Sequence, residues 1–159
     1  MNRDKEMFIR IPSELSLMRH IRVGIRECLA LHDAELQESA AMVAWELVEN
    51  AIKYGERARE EQLATFRFRL AAARVVIDVA SGLASRADYE EVASRIRDIE
   101  AEPDKMKLYI ERLQALVEHG PQGPTRLGLY RISAEGRFHL SCQERDGMLV
   151  VSATRALGG

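Results

Sequence analysis

Three polar side chains in the stretch from Met42 to Gly55 have the types and spacing from which chemistry can be built: Glu46, Asn50 and Lys53. At 100° per residue the stretch divides into two faces. Val43, Ala44, Leu47, Val48, Ala51 and Ile52 share a broad apolar arc, continued one turn earlier by Ala40, and this predicts an amphipathic helix against a core. Met42, Glu46, Glu49, Asn50 and Lys53 fall opposite. Glu46 and Asn50 stand one turn apart, so a carboxylate and a carboxamide can act on one ligand. The same residue types also make an ordinary solvated helix face, and the spacing alone is compatible with both.

As a string, Glu46-Leu47-Val48-Glu49-Asn50-Ala51-Ile52-Lys53-Tyr54-Gly55 resembles the N box of the histidine-kinase-like (GHKL) ATPase superfamily, nearest to the anti-sigma factor serine kinases. The resemblance implies that Asn50 holds the Mg²⁺ that bridges the phosphates of ATP. It implies that Glu46 is the base for the attacking hydroxyl and that Lys53 contacts phosphate. A carboxamide oxygen is a hard ligand, and Mg²⁺ commonly takes few protein oxygens beside phosphate and water.

A second stretch, Thr125-Arg126-Leu127-Gly128-Leu129-Tyr130-Arg131-Ile132, resembles the second glycine box of that superfamily, in which a loop opens into a helix whose backbone N–H groups hold phosphate. Leu127-Gly128-Leu129 matches; Thr125 and Arg126 replace the residues before it, and Arg126 is itself a candidate phosphate contact. Gly128 has a structural alternative, close packing of helix on sheet. The first glycine box, Asp-x-Gly-x-Gly, is degraded. The register of Val75, Ile77 and Val79 puts Ser81 where the adenine-binding Asp is expected, and the one glycine, Gly82, is shifted by a residue. Asp78 alternates to the opposite sheet face. A hydroxyl at Ser81 can make a hydrogen bond but cannot replace a charged acceptor.

The elements that must position these residues follow from periodicity. Phe8, Ile9 and Ile11 predict a strand ended by Pro12. Ser13 is a cap for a helix through Leu15, Met18, Ile21, Ile25 and Leu29, with His20 on its solvated side. Asp33 caps the next helix, Gly55 ends it, and 56–61 is a charged connector. Phe66, Phe68 and Leu70, a turn over 71–74, then Val75, Ile77 and Val79 predict an antiparallel hairpin. The segment 86–119 is an additional helical stretch broken at Pro103, with Asp104 capping a second helix that ends at His119-Gly120. In that helix Met106, Tyr109, Ile110, Leu113, Leu116 and Val117 predict a strong apolar face. Gly120 to Pro124 is a loop, and Gly136 ends the helix that follows it. Phe138, Leu140 and Cys142, an Asp146-Gly147 turn, then Leu149, Val151 and Ala153 predict a second hairpin, with His139 on its exposed phase.

This order predicts one α+β domain over 1–159, a two-layer sandwich whose largely antiparallel, mixed sheet is covered on one face by helices. The resemblance sharpens it to the GHKL (Bergerat-type) sandwich. At 159 residues, 47% hydrophobic and 30% charged, the chain can bury a core. A formal charge of −2 argues against nucleic acid as partner. No apolar run reaches membrane-spanning length and the N-terminus lacks a signal-like apolar core, so a cytoplasmic location is expected. Cys28 and Cys142 each fall in phase with apolar positions and are expected as buried thiols. The resemblance implies an ATP·Mg²⁺-dependent kinase acting on a Ser or Thr of a STAS-domain partner, or binding a sigma factor, with a homodimer as the implied assembly. The degraded first box leaves a second expectation, a GHKL-fold docking module without catalysis, acting through 86–119 or a sheet edge.

Overall fold

The computed structural model describes residues 4–11, 17–54, 64–83, 85–121 and 125–158. Along the chain run β1 (Lys5–Ile11), α1 (Met18–Cys28), α2 (Ala34–Tyr54), β2 (Ala64–Ala71), β3 (Arg74–Gly82), α3 (Arg86–Ala101), α4 (Lys105–His119), α5 (Leu127–Ala134), β4 (His139–Arg145) and β5 (Met148–Ala156). The architecture is mixed α/β, with five helices and a five-stranded sheet in the order β1-β2-β3-β5-β4 among the described residues.

Each neighbouring pair is antiparallel, which corrects the expectation of a mixed sheet. The reason is the return path. The chain leaves β3 through three helices and comes back at the far edge as β4; a tight hairpin then inserts β5 between β4 and β3, opposed to both. At that hairpin Asp146 (φ 53°) and Gly147 (φ 76°) take the left-handed positions that such turns need. The β2–β3 turn is built on Ala72 (φ 51°) and Ala73 (φ 56°) instead, two residues that carry no turn signal in the sequence. Leu157 N–H donates to the Ala73 carbonyl at 2.8 Å and holds that turn.

Strand alternation separates two faces. Phe66, Phe68, Val75, Ile77, Val79, Leu140, Leu149 and Ala153 are buried beneath the helices. Glu6, Phe8, Arg10, Arg67, Arg69, Arg74 and Arg145 are exposed on the other side. The core joins that inner face to Ile21 and Ile25 of α1, Val43, Ala44, Leu47 and Val48 of α2, Val92, Ile96 and Ile99 of α3, and Leu129 and Ile132 of α5. Asp33 Oδ1 accepts from Leu36 N at 2.9 Å, capping α2 as its sequence predicts. Asp104 Oδ1 does the same for α4, accepting from Lys107 N at 3.0 Å. Gly120 (φ 70°) terminates α4.

Three expectations are corrected. No residue of α4 is fully buried, and Met106, Ile110 and Val117 are exposed at 42%, 45% and 86%. The helix packs outside, on α5, so its apolar stripe is only partly covered. Phe138 is buried but lies just before β4, which begins at His139. Cys28 and Cys142 are free and half-buried rather than buried, and partial burial pushes both thiols up. Pro12, Ser13, Leu15, Gly55, the 56–61 connector and 122–124 lie outside the described residues.

Candidate functional site

Three helices and two strands meet at one cavity. The last turns of α2 bring Leu47, Asn50, Ala51 and Tyr54; the end of β3 brings Ser81 and Gly82, followed by Leu83. The first turns of α3 bring Asp88 and Val92, the approach to α5 brings Arg126 and Leu129, and β5 closes the floor with Leu149 and Val151. Five of the sequence-derived candidates thus converge: Asn50, Ser81, Gly82, Arg126 and Leu129. The free space among these residues is about 30 Å³, room for about one water molecule.

The cavity's polar groups are few and strained. Asn50 Nδ2 is buried without a hydrogen-bond partner among the described residues. Such an amide is costly unless a ligand or water meets it. Ser81 is buried because β3 alternation turns it inward, while Asp78 points out and pairs with Arg69 at 3.2 Å. Arg126 has left-handed backbone (φ 45°, ψ 33°) at the residue before α5, a conformation uncommon for a side-chain-bearing residue. Its guanidinium is buried 4.8 Å from the Tyr54 ring centroid. Its Nε lies 3.5 Å from Glu91 Oε2, within ion-pair range but without hydrogen-bond geometry. Glu91 also accepts from Arg95 at 2.7 Å, and Arg95 donates to the Thr125 carbonyl at 3.1 Å. Through Glu91 and Arg95, α3 fixes the segment that leads into α5.

Glu46 stands apart from the cavity. Its Oε1 accepts from Arg131 of α5 at 3.0 Å, and Arg131 Nε donates to Glu135 at 2.8 Å. Burial pushes the Glu46 carboxyl up from its ordinary range, and the Arg131 hydrogen bond and charge oppose that shift. Gly128 is in van der Waals contact with Glu46: a Cβ there would meet Glu46 Oε2 at 2.2 Å and its Cβ at 3.2 Å. Gly128 therefore serves close packing, against α2 rather than against the sheet. Lys53 is exposed and its Nζ lies 5.3 Å from the Tyr54 ring centroid, outside the cavity wall. Leu127 lines a separate cleft with Arg95, Arg112 and His119.

The donor set suits the phosphate and metal end of ATP·Mg²⁺ better than the adenine end. An unpartnered carboxamide and a buried guanidinium share one wall. A Mg²⁺ there would rest on Asn50 and phosphate oxygens, since among the described residues no group of three or more His, Cys, Asp or Glu is arranged to hold a metal. Ser81 and Asp88 are further polar residues lining the same cavity. The chain matches no protein-family model and no curated protein.

Sequence reasoning missed Asp88, Tyr54, Glu91 and Arg131. Glu91 and Arg95 carry a faint signal, an i,i+4 acid–base pair. Asp88 occupies the first turn of a helix capped by Ser85, where an acid is ordinary, and its place in the cavity wall depends on tertiary packing.

Proposed function

We propose that this chain is a GHKL-type, ATP·Mg²⁺-binding regulatory domain resembling the anti-sigma factor serine kinases, acting on a STAS-type or sigma-factor-like protein partner. The observation that supports the reading most is convergence: the three segments with box-like sequences, distant along the chain, contribute Asn50, Ser81, Gly82, Arg126 and Leu129 to one cavity. Asn50 would hold the metal, and Arg126 the phosphates. ATP would supply the transferable phosphoryl group. Glu46 would accept the proton of the partner's Ser or Thr hydroxyl once freed from Arg131. The small free volume means that a nucleotide enters only when a wall moves, and the Arg126–Tyr54 stack is the charged part of that wall.

A second reading is a docking module of the same fold without catalysis. It draws on the Glu46–Arg131 pair and the small free volume of the cavity. Calorimetric titration with ATP, with and without Mg²⁺, separates the two. The nucleotide reading expects saturable, Mg²⁺-dependent binding that Asn50→Ala abolishes while the melting temperature without ligand holds. Absent heat, or equal binding by wild type and Asn50→Ala, removes Asn50 from the metal role and leaves the docking module.

A further inference from the structure

The helices cover one face of the sheet, and among the described residues no helix lies over the opposite face. The strand order brings its residues into rows that no single segment of sequence displays. One row runs Arg10–Thr65–Ala80–Val150–Gln143 from edge to edge. The next runs Phe8–Arg67–Asp78–Ser152–Ser141. In the first row small side chains lie between Arg10 and Gln143; in the second, Arg67 and Asp78 stand inside the edge residues Phe8 and Ser141. The result is a trough of about 880 Å³. Four inter-strand spacings make it about 19 Å across.

The charge on this face is one-sided. Arg10, Arg67, Arg69, Arg74 and Arg145 confront Glu6, Asp78 and Asp146, in a chain whose formal charge is −2. Glu6 pairs with Arg67 at 3.2 Å and Asp78 with Arg69 at 3.2 Å. Arg10, Arg74 and Arg145 have no ionic partner among the described residues. Between them the floor is mixed: Val76 and Ala80, half-buried, and Val150, 8% exposed, lie among the polar Thr65, Asp78, Ser152 and Thr154.

The geometry points to this trough as the docking surface for an acidic, amphipathic segment of a partner protein. Its carboxylates would meet the guanidinium forks of Arg10 and Arg145, and its small apolar side chains would lie on Ala80 and Val150. Arginine suits that role because its fork binds carboxylate through two parallel hydrogen bonds. Two other occupants fit less well. A second copy pairing through the same face would bring together two patches that each carry five arginines against three acids. Single-stranded nucleic acid calls for stacking platforms, and among the described residues the one aromatic ring lining the trough, Phe8, already lies 5.2 Å under Arg67. The surface lies across the sheet from the Asn50 cavity, so this docking holds whether or not the cavity takes nucleotide.

The test uses the full chain and a fluorescein-labelled peptide alternating glutamate and valine, followed by fluorescence anisotropy and amide NMR. A polyglutamate peptide and a single-stranded oligonucleotide serve as competitors for charge alone. Saturable peptide binding is expected, with shifts gathered on Thr65, Ala80, Val150 and Ser152. Arg10→Ser/Arg145→Ser should weaken it at least about tenfold with an unchanged melting temperature, and Ala80→Glu should weaken it independently. The proposal is overturned by no saturable binding, by equal affinity of the folded variants, or by either charge-only competitor binding as tightly as the alternating peptide.

Discussion

The two faces of the sheet use similar residues to opposite effect. Under the helices the polar groups of the cavity are few: Asn50 Nδ2 has no hydrogen-bond partner among the described residues, Ser81 is buried at the end of β3, and Arg126 is stacked on Tyr54. On the open face arginines are numerous and water-exposed, and two of them form ion pairs with strand carboxylates. One step of strand alternation separates these environments, as Asp78 outside and Ser81 inside show. The difference teaches where a ligand meets resistance. Anything much larger than a water molecule must displace packed side chains to fill the inner cavity, whereas anything meeting the outer trough displaces water.

The largest effect should come from forcing the packed side open. In Gly128→Ala the new methyl collides with Glu46, which must swing away from Arg131. Overpacking of this kind costs about 2 kcal/mol, measurable by urea unfolding. Adding Glu46→Ala should recover most of that loss, because the two changes relieve one clash. A Gly128→Ala chain as stable as wild type would mean that α5 shifts freely on α2, and the contrast between a tight and an open face would lapse.

A smaller effect compares arginine with arginine. Arg126→Ala removes a buried stack on Tyr54 and the approach to Glu91, and should cost about 1–2 kcal/mol. Arg145→Ala on the open face should stay within about 0.5 kcal/mol. Equal losses would show that the trough arginines support the fold, and their availability to a partner would be in doubt.

Much of the scaffold was legible because its signals are local. Phe66, Phe68, Val75, Ile77 and Val79 alternate, Asp33 and Asp104 cap, and Gly120 stops a helix, so each element announces itself within a few residues. The Ala72-Ala73 turn was faint because alanine gives no sign of left-handed backbone. The apolar stripe of α4 misled because periodicity fixes which residues share a face, not what covers them. The site was half legible. Motif-like spacing brought out Asn50, Ser81, Gly82, Arg126 and Leu129, but the Glu46–Arg131 pair joins residues 85 positions apart. The trough was invisible, because its rows exist only once β5 has inserted between β3 and β4.

The finest test sets two glutamates of α2 against each other by pH. Glu35 receives hydrogen bonds from Arg155 at 2.7 Å, Arg137 at 2.8 Å and Ser39 at 3.0 Å, and the Arg155 bond above all holds its carboxyl down at about 2. The folded state therefore favours the charged form, and this stability is present above the unfolded value of about 4.5 and lost as pH falls towards 2. Glu35→Gln should cost about 1 kcal/mol at neutral pH, a modest figure because the carboxylate is partly exposed, and the difference should close in acid. Glu46 has the opposite sign. Burial outweighs Arg131 and raises its carboxyl, so its contribution worsens as pH rises from the unfolded value through the raised one. Glu46→Gln should thus gain about 0.5 kcal/mol at neutral pH and nothing in acid, with Arg131 still held by Glu135. Melting curves of the two variants across this range should diverge from wild type in opposite directions. A loss of stability in Glu46→Gln at neutral pH would mean that the Arg131 pair, not burial, dominates at the wall between α2 and α5, and that the Glu46 carboxyl is held charged there.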